Sequence, residues 1–356
     1  MVTPHINRRR TFVATAGALT LTLLASLPAS PTPDLRIDQM QVIGSHNSYR
    51  PYPSPETRAR IQAASPKDWP SLAYGHPPLE KQFARGIRQI EIDVAPDPNG
   101  GAYAGLFANS APAVRAAMGE PGAKVLHIPG VDMESHCPTF RACLGKLRRW
   151  SEQHPGHPPM FVLVNTGDAG GARFDAANLA SLDDDIRRVM GSDHIITPDD
   201  VRGPAETLRA AVTSDHAWPT LARGAGRFMF VLDGSGAHEE AYRSGHPSLR
   251  ARAMFGFFGE AEAEAAIFNI QDPRAEAEHI RHLVAQGFLV RTRADEGLAE
   301  PRAHDGRRLA AAIASGAQWI SSDLYEGASN PEHLVYRAAF PGGALTRCNP
   351  ATATCR

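Results

Sequence analysis

Surplus charge is what this chain most plainly lacks: 37 Lys and Arg stand against 38 Asp and Glu, a formal net charge of −1. Without a basic excess to neutralise phosphate backbones, non-specific nucleic-acid binding is excluded as its main business. Cysteine is scarce too, with four residues in 356. That rules out a small disulfide-built scaffold, and the spacings of six and seven residues do not match the short knuckles of a four-cysteine zinc site. Four cysteines allow three connectivities; proximity favours Cys137 with Cys143 and Cys348 with Cys355, as in an exported protein. What remains, 42% hydrophobic and 21% charged residues, is ordinary globular composition and excludes collagen-like, coiled-coil and wholly disordered readings.

Long apolar runs are missing as well. Arg8, Arg9 and Arg10 precede an uncharged stretch from Thr11 to about Ser30, whose apolar part is shorter than the roughly 20 residues of a membrane span. Residues 1–30 therefore read as an export signal, and Arg9-Arg10-Thr11-Phe12-Val13 has the look of the twin-arginine type. Its removal near Ala29 or Ser30 leaves 34 basic against 38 acidic groups, a net −4. The expectation is a secreted or periplasmic protein, monomeric, with no transmembrane span in its mature form and no nucleic-acid partner.

Across residues 31–356, eight short β-prone runs recur: 41–44, 88–94, 124–127, 160–164, 227–232, 266–270, 288–292 and 318–321. Helix-like stretches lie between many of them, such as 78–86, 141–154, 176–190, 274–286 and 306–314, several stopped by Gly. Strand alternating with helix means parallel pairing, and eight such units predict one domain, a single α/β (β/α)8 TIM barrel. Segments 95–122 and 235–262 read as loop insertions on the C-terminal face.

Barrels place their chemistry at the C-terminal ends of the strands, and there the sequence is strongly polar: His46 and Asn47, Glu91 and Asp93, His127, Asn165, Asp233, Asn269, Arg291 with Arg293 and then Asp295, and Asp323. Glu91 and Asp93, two apart on a strand, share one face, here the interior. Two inward carboxylates repel unless a cation compensates them. Carboxylate and amide oxygens, with Asn47 and Asn165 at hand, describe a site for Ca2+, with Mg2+ second, rather than zinc. Of fifteen histidines, only His46 and His127 end predicted strands. Two histidines beside a metal suit acid–base chemistry on a phosphodiester, and Arg291 and Arg293 are candidates to bind substrate.

The phrases Ile43-Gly44-Ser45-His46-Asn47-Ser48-Tyr49, Ile90-Glu91-Ile92-Asp93 and Val125-Leu126-His127 resemble the first half of the catalytic barrel of Ca2+-dependent phosphatidylinositol-specific phospholipases C, in their short secreted bacterial form. The likeness extends to 287–295 and 315–323 and so covers most of the mature chain. It implies that His46 and His127 are the catalytic pair, that Asn47, Glu91 and Asp93 bind the metal, and that the substrate is an inositol phospholipid at a membrane surface, cleaved to diacylglycerol and an inositol phosphate through a cyclic intermediate. Where that family usually ends its fourth strand with a metal-binding Glu, this chain has Asn165, which offers an oxygen but no charge; lower metal affinity, or Asp168 as a substitute, would follow.

Two rivals stand beside this reading. A glycerophosphodiester phosphodiesterase shares the Glu-x-Asp and two histidines, but its His-Arg-Gly opening is replaced here by His46-Asn47-Ser48. A catalytically inactive barrel that binds lipid or sugar is the other. The weak net charge also implies that membrane contact comes from loops, for which Tyr103, Leu106 and Phe107, and Met254, Phe255, Phe257 and Phe258, are the candidates, with burial of the second cluster in the core as the alternative.

Overall fold

The computed structural model describes Met1 and residues 35–355; the expected leader, apart from Met1, lies outside them. Its strands are β1 (Met40–Ser45), β2 (Gln89–Ala95), β3 (Lys124–Val125), β4 (Met160–Thr166), β5 (Ile195–Ile196), β6 (Phe228–Asp233), β7 (Met254–Gly256), β8 (Ile267–Asn269), β9 (Leu289–Arg293), β10 (Trp319–Ser322) and β11 (Thr346–Cys348). Parallel pairs run β7–β6–β4–β2–β1–β10–β9–β8. A parallel bridge between Phe257 and Ile267 joins the two ends, so the eight-stranded TIM barrel is closed at one thin seam.

The sequence predicts eight barrel strands, but one of the eight is a different segment. Lys124 and Val125 fold back antiparallel onto Ala95 and Val94, at the far end of β2, and β4 takes the place beside β2 directly. The missing strand is β7, inside the segment expected to be an insertion. The run Met254-Phe255-Gly256-Phe257-Phe258 shows no strand alternation, yet Met254 and Phe255 are fully buried and Phe258 nearly so. The aromatic cluster is therefore core and not a membrane-contacting loop. In the other insertion Tyr103 and Phe107 are also buried, leaving Leu106 exposed.

The helices follow their local signals. Phe140–Gln153 is capped by the Thr139 side chain and buries Leu144, Leu147 and Trp150, while Ala176–Met190 is capped by Asp175; each side chain satisfies a backbone donor that the first turn leaves open. Leu79–Arg85 stops at Gly86, whose φ of +107° suits glycine. Both expected disulfides, Cys137–Cys143 and Cys348–Cys355, are present.

Inside the barrel the layers change character along its axis. Trp319 of β10 stacks on Phe161 of β4 at 4.7 Å between ring centroids, closing the lower end. Above it Ser321 donates to Gln89 at 2.6 Å and accepts from Arg291 at 2.9 Å, and Arg291 reaches Glu91. These residues come from β2, β9 and β10, so the alternate positions Gln89 and Glu91 do point inward. At Gly44 a Cβ would lie 1.9 Å from the Gln89 side chain; the absence of a side chain lets β1 and β2 close at this level.

Candidate active site

At the end of β1 the chain turns through Asn47, whose φ of +51° is a left-handed conformation that asparagine tolerates. Ser48 fastens the turn to β2, its N–H donating to the Glu91 carbonyl at 2.9 Å and its Oγ accepting from the Glu91 N–H at 2.8 Å. His46 is thereby set over the barrel mouth. Its Nδ1 lies 2.8 Å from Asp323 Oδ1, at the end of neighbouring β10, and its Nε2 lies 3.7 Å from Glu91 Oε1. Arg293 donates to the other Asp323 oxygen at 2.9 Å. His76, stacked on Tyr325 at 5.5 Å, holds the His46 backbone carbonyl through Nε2 at 2.7 Å. Burial and the Arg293 charge push the His46 imidazole below its ordinary value, against the pull of Glu91 and Asp323. Burial works against the Asp323 carboxylate, but Arg293 and His46 hold it well below the usual range.

The second histidine has a different support. His127 Nδ1 sits 3.0 Å from Asp132 Oδ2, five residues on in the same loop. Arg50, fully buried, donates through Nε to that same oxygen at 2.6 Å and through Nη2 to the Leu72 carbonyl at 2.8 Å, with its guanidinium 4.8 Å from the Tyr74 ring centroid. Burial opposes ionisation of Asp132, but His127 and Arg50 together hold it below its ordinary value. Both histidines keep about a fifth of their side chains exposed, 19% for His46 and 21% for His127, so both can reach a ligand.

Between them lie the oxygen donors. The register aligns Asp93 with Asn165 and Asn165 with Asp233 across β2, β4 and β6. Asp93 accepts from the Tyr49 hydroxyl at 3.0 Å, and burial next to Glu91 pushes it up to about 7. Asp233, hydrogen-bonded by Asn269 at 3.1 Å, is pushed up to about 6 by burial and by Glu91. Asn47 has two possible amide orientations. In one its nitrogen donates to the Tyr74 hydroxyl at 2.9 Å and its oxygen faces the Asp93 carboxylate. In the other its nitrogen donates to both Asp93 oxygens at 3.1 Å. Facing acceptors are the arrangement a cation needs, and the turned amide is the arrangement that satisfies the carboxylate without one. Among the described residues no trio of His, Cys, Asp or Glu converges on a metal position; the cradle mixes carboxylate and amide oxygens, the hard donors that suit Ca2+.

Of the residues expected from the sequence, Glu91 and Arg293 both approach His46, at 3.7 and 3.3 Å, Asn47 faces Asp93, and Asp93, His127 and Asn165 border one cavity of about 250 Å3. Arg291 is set apart. It is 1% exposed and its donors go to Glu91, Ser321, Asn269 and Gln271 at 2.8–3.1 Å, so it holds the floor of the site. Arg50, Tyr74, His76 and Asp132 were not singled out by sequence. Their loops carry no periodic pattern; the one available signal was an acid five residues after His127.

A family model described as phosphoinositide phospholipase C, Ca2+-dependent, matches residues 35–350. Among solved structures the chain is similar to a calcium-dependent phosphoinositol-specific phospholipase C from a Pseudomonas species, at 15% identity and a TM-score of 0.57, covering 89% of this chain and 97% of that one. It is also similar to a Ca2+-dependent phosphatidylinositol-specific phospholipase C from Streptomyces antibioticus, at 17% identity and a TM-score of 0.53, covering 81% and 95%. Likeness at these identities bears on the fold. No curated protein matches the chain.

Proposed function

This chain belongs to the Ca2+-dependent phosphoinositide phospholipase C family, and from that premise we propose that it cleaves phosphatidylinositol-type lipids with His46 and His127 as its acid–base pair. The observation that carries this reading is the pairing of each histidine, through Nδ1, with a buried carboxylate, Asp323 at 2.8 Å and Asp132 at 3.0 Å. A carboxylate on Nδ1 fixes the tautomer and orientation of the ring and leaves Nε2 for the substrate.

His46, kept neutral by burial and Arg293, takes the proton of the inositol hydroxyl next to the phosphate. That oxygen bonds to phosphorus, the bond from phosphorus to the glycerol oxygen breaks, and His127 gives its proton to the departing oxygen, releasing diacylglycerol. The cyclic phosphate is then opened by water with the two histidines in reversed roles. Asn47, Glu91, Asp93 and Asn165 would hold Ca2+, which when bound offsets phosphate charge and favours ionisation of the attacking hydroxyl. Arg293, whose Nη2 lies 3.3 Å from His46 Nδ1, is the arginine to meet the phosphate, while Arg291 acts from beneath by fixing Glu91. The two disulfides and the leader expected over 1–30 fit a secreted or periplasmic enzyme, and among the described residues no helix is long and apolar enough to cross a membrane.

The test is to incubate purified protein with phosphatidylinositol vesicles, with and without chelator, and follow products by phosphorus NMR. A cyclic inositol phosphate that disappears with chelator is expected. Glycerol phosphate as the first product would replace this reading with that of a glycerophosphodiester phosphodiesterase, and no turnover of any phosphodiester would leave a binding barrel.

A further inference from the structure

Asp168 has no part in that scheme, yet it borders the same cavity of about 250 Å3 as Asp93, His127 and Asn165. Unlike most loop carboxylates it is fastened: its Oδ1 accepts from the Phe174 N–H at 2.8 Å and lies 3.0 Å from His238 Nε2. His238 is itself buried, with Nδ1 2.9 Å from Thr166 Oγ1 and the Phe174 ring edge-on at 5.8 Å. Thus the end of β4 and the helix after β6 both serve to aim one carboxylate. Its second oxygen, Oδ2, has no hydrogen bond among the described residues, and the side chain keeps 42% of its exposure.

The charges around this cavity explain what such a carboxylate would do. Glu91 is already neutralised by Arg291 at 3.1 Å. Asn47 and Asn165 bring oxygens without charge, and Asp233 is held by Asn269 outside the cavity lining, which leaves Asp93 as the anionic donor of the second strand that borders the cavity and is not committed to an arginine. A divalent cation held by one net negative charge is held weakly, since affinity at such sites follows ligand charge count.

We propose that Asp168, positioned by His238, supplies the second negative charge that the Ca2+ site at Asp93 requires. The inference rests on the calcium-dependent reading of the site, and its test separates the two. Calcium binding is measured on the purified secreted protein without lipid, by calorimetry and by terbium luminescence, alongside melting temperature. Asp168→Asn should weaken calcium binding about 10- to 100-fold, the range typical of lost support around a metal, at unchanged melting temperature. Asn165→Asp added to that variant should restore most of the affinity, because it returns the charge to the same cavity. His238→Gln should weaken binding less, and should add nothing in the Asp168→Asn background if it acts only by aiming Asp168. Unchanged affinity in Asp168→Asn, with binding still abolished by Asp93→Asn, overturns this inference and leaves the calcium reading intact. Absence of calcium binding by the unmodified protein overturns both.

Discussion

The two histidines of this barrel are supported in opposite ways. His46 has a partner 277 residues away in sequence, and the pair exists because β1 and β10 lie side by side with Ser45 opposite Ser322. His127 has a partner five residues away, on a loop whose turn is closed by the Ile128–Asp132 bridge. The first pair is a product of barrel closure and the second of a local turn. What connects the two pairs is Arg50, which pins Asp132 at 2.6 Å and packs on Tyr74, whose hydroxyl lies 3.2 Å from His46 Nδ1. One buried ion pair can thus tie a loop side chain to the scaffold, at the cost of an arginine that cannot lose its partner.

The harshest way to break this comparison is on the strand side. Asp323→Asn removes the negative charge that faces both His46 and the buried Arg293. Activity on phosphatidylinositol should fall about 10²- to 10⁴-fold, as for loss of an acid–base group. Stranding a buried arginine should also cost about 3–5 kcal/mol of stability. Steady-state kinetics and denaturant unfolding on one preparation check both; full stability would mean that Arg293 does not depend on Asp323.

Changing the loop histidine itself sharpens the contrast. His127→Ala leaves Asp132 still paired with Arg50, so unfolding should be nearly unchanged while kcat/KM on the lipid falls about 10²- to 10⁴-fold. On an analogue whose leaving group departs without a proton the loss should be at least tenfold smaller. Equal losses on both substrates would take the role of acid away from His127.

This division also marks what the sequence could and could not show. Glu91 and Asp93 announce themselves because strand alternation puts them on one face with Ile90 and Ile92 on the other, and His46-Asn47 ends a readable apolar run. The barrel was legible for the same reason: seven of its strands carry runs long enough to show a period. β7 does not, and whether Phe255 and nearby Phe258 lie in the core or on a loop stayed open in the sequence, because the bridge from Phe257 to Ile267 that decides it is a tertiary contact. Asp132, Arg50 and Tyr74 were hidden because their relation is set by two loops meeting in space. Asp323 was visible as a strand end, but its role depends on which strand lies next to β1, and barrel closure alone decides that.

The smallest expected effect lies under the strand pair, where the loop pair has no counterpart. Asp295 accepts from the Asp323 N–H at 2.7 Å and from Ser322 Oγ at 2.5 Å, and burial beside Asp323 pushes it up to about 7, against an ordinary 3.8. An acid with a raised folded value binds more protons in the native than in the unfolded state between those two pH values, so the contribution of Asp295 to stability falls as pH rises from about 4 to about 7 and then levels off. Asp132 and Asp323, held low, have the opposite sign, and their contribution is lost only as pH falls below the ordinary carboxylate range. Asp93 and Asp233, pushed up to about 7 and about 6, share the sign of Asp295. The His46 and His76 imidazoles, pushed down by burial, pull the other way over part of this range, so the expected effect of Asp295→Asn is a difference from the parent: stability at pH 7.5 relative to pH 5 should be higher in the variant, which urea midpoints at the two pH values will show. The asparagine oxygen can still accept from the Asp323 N–H, so the variant should keep most of its stability at pH 5 and gain relative to the parent at pH 7.5. A pH dependence identical to the parent's would place the proton elsewhere in the barrel mouth and return Asp295 to a purely structural part.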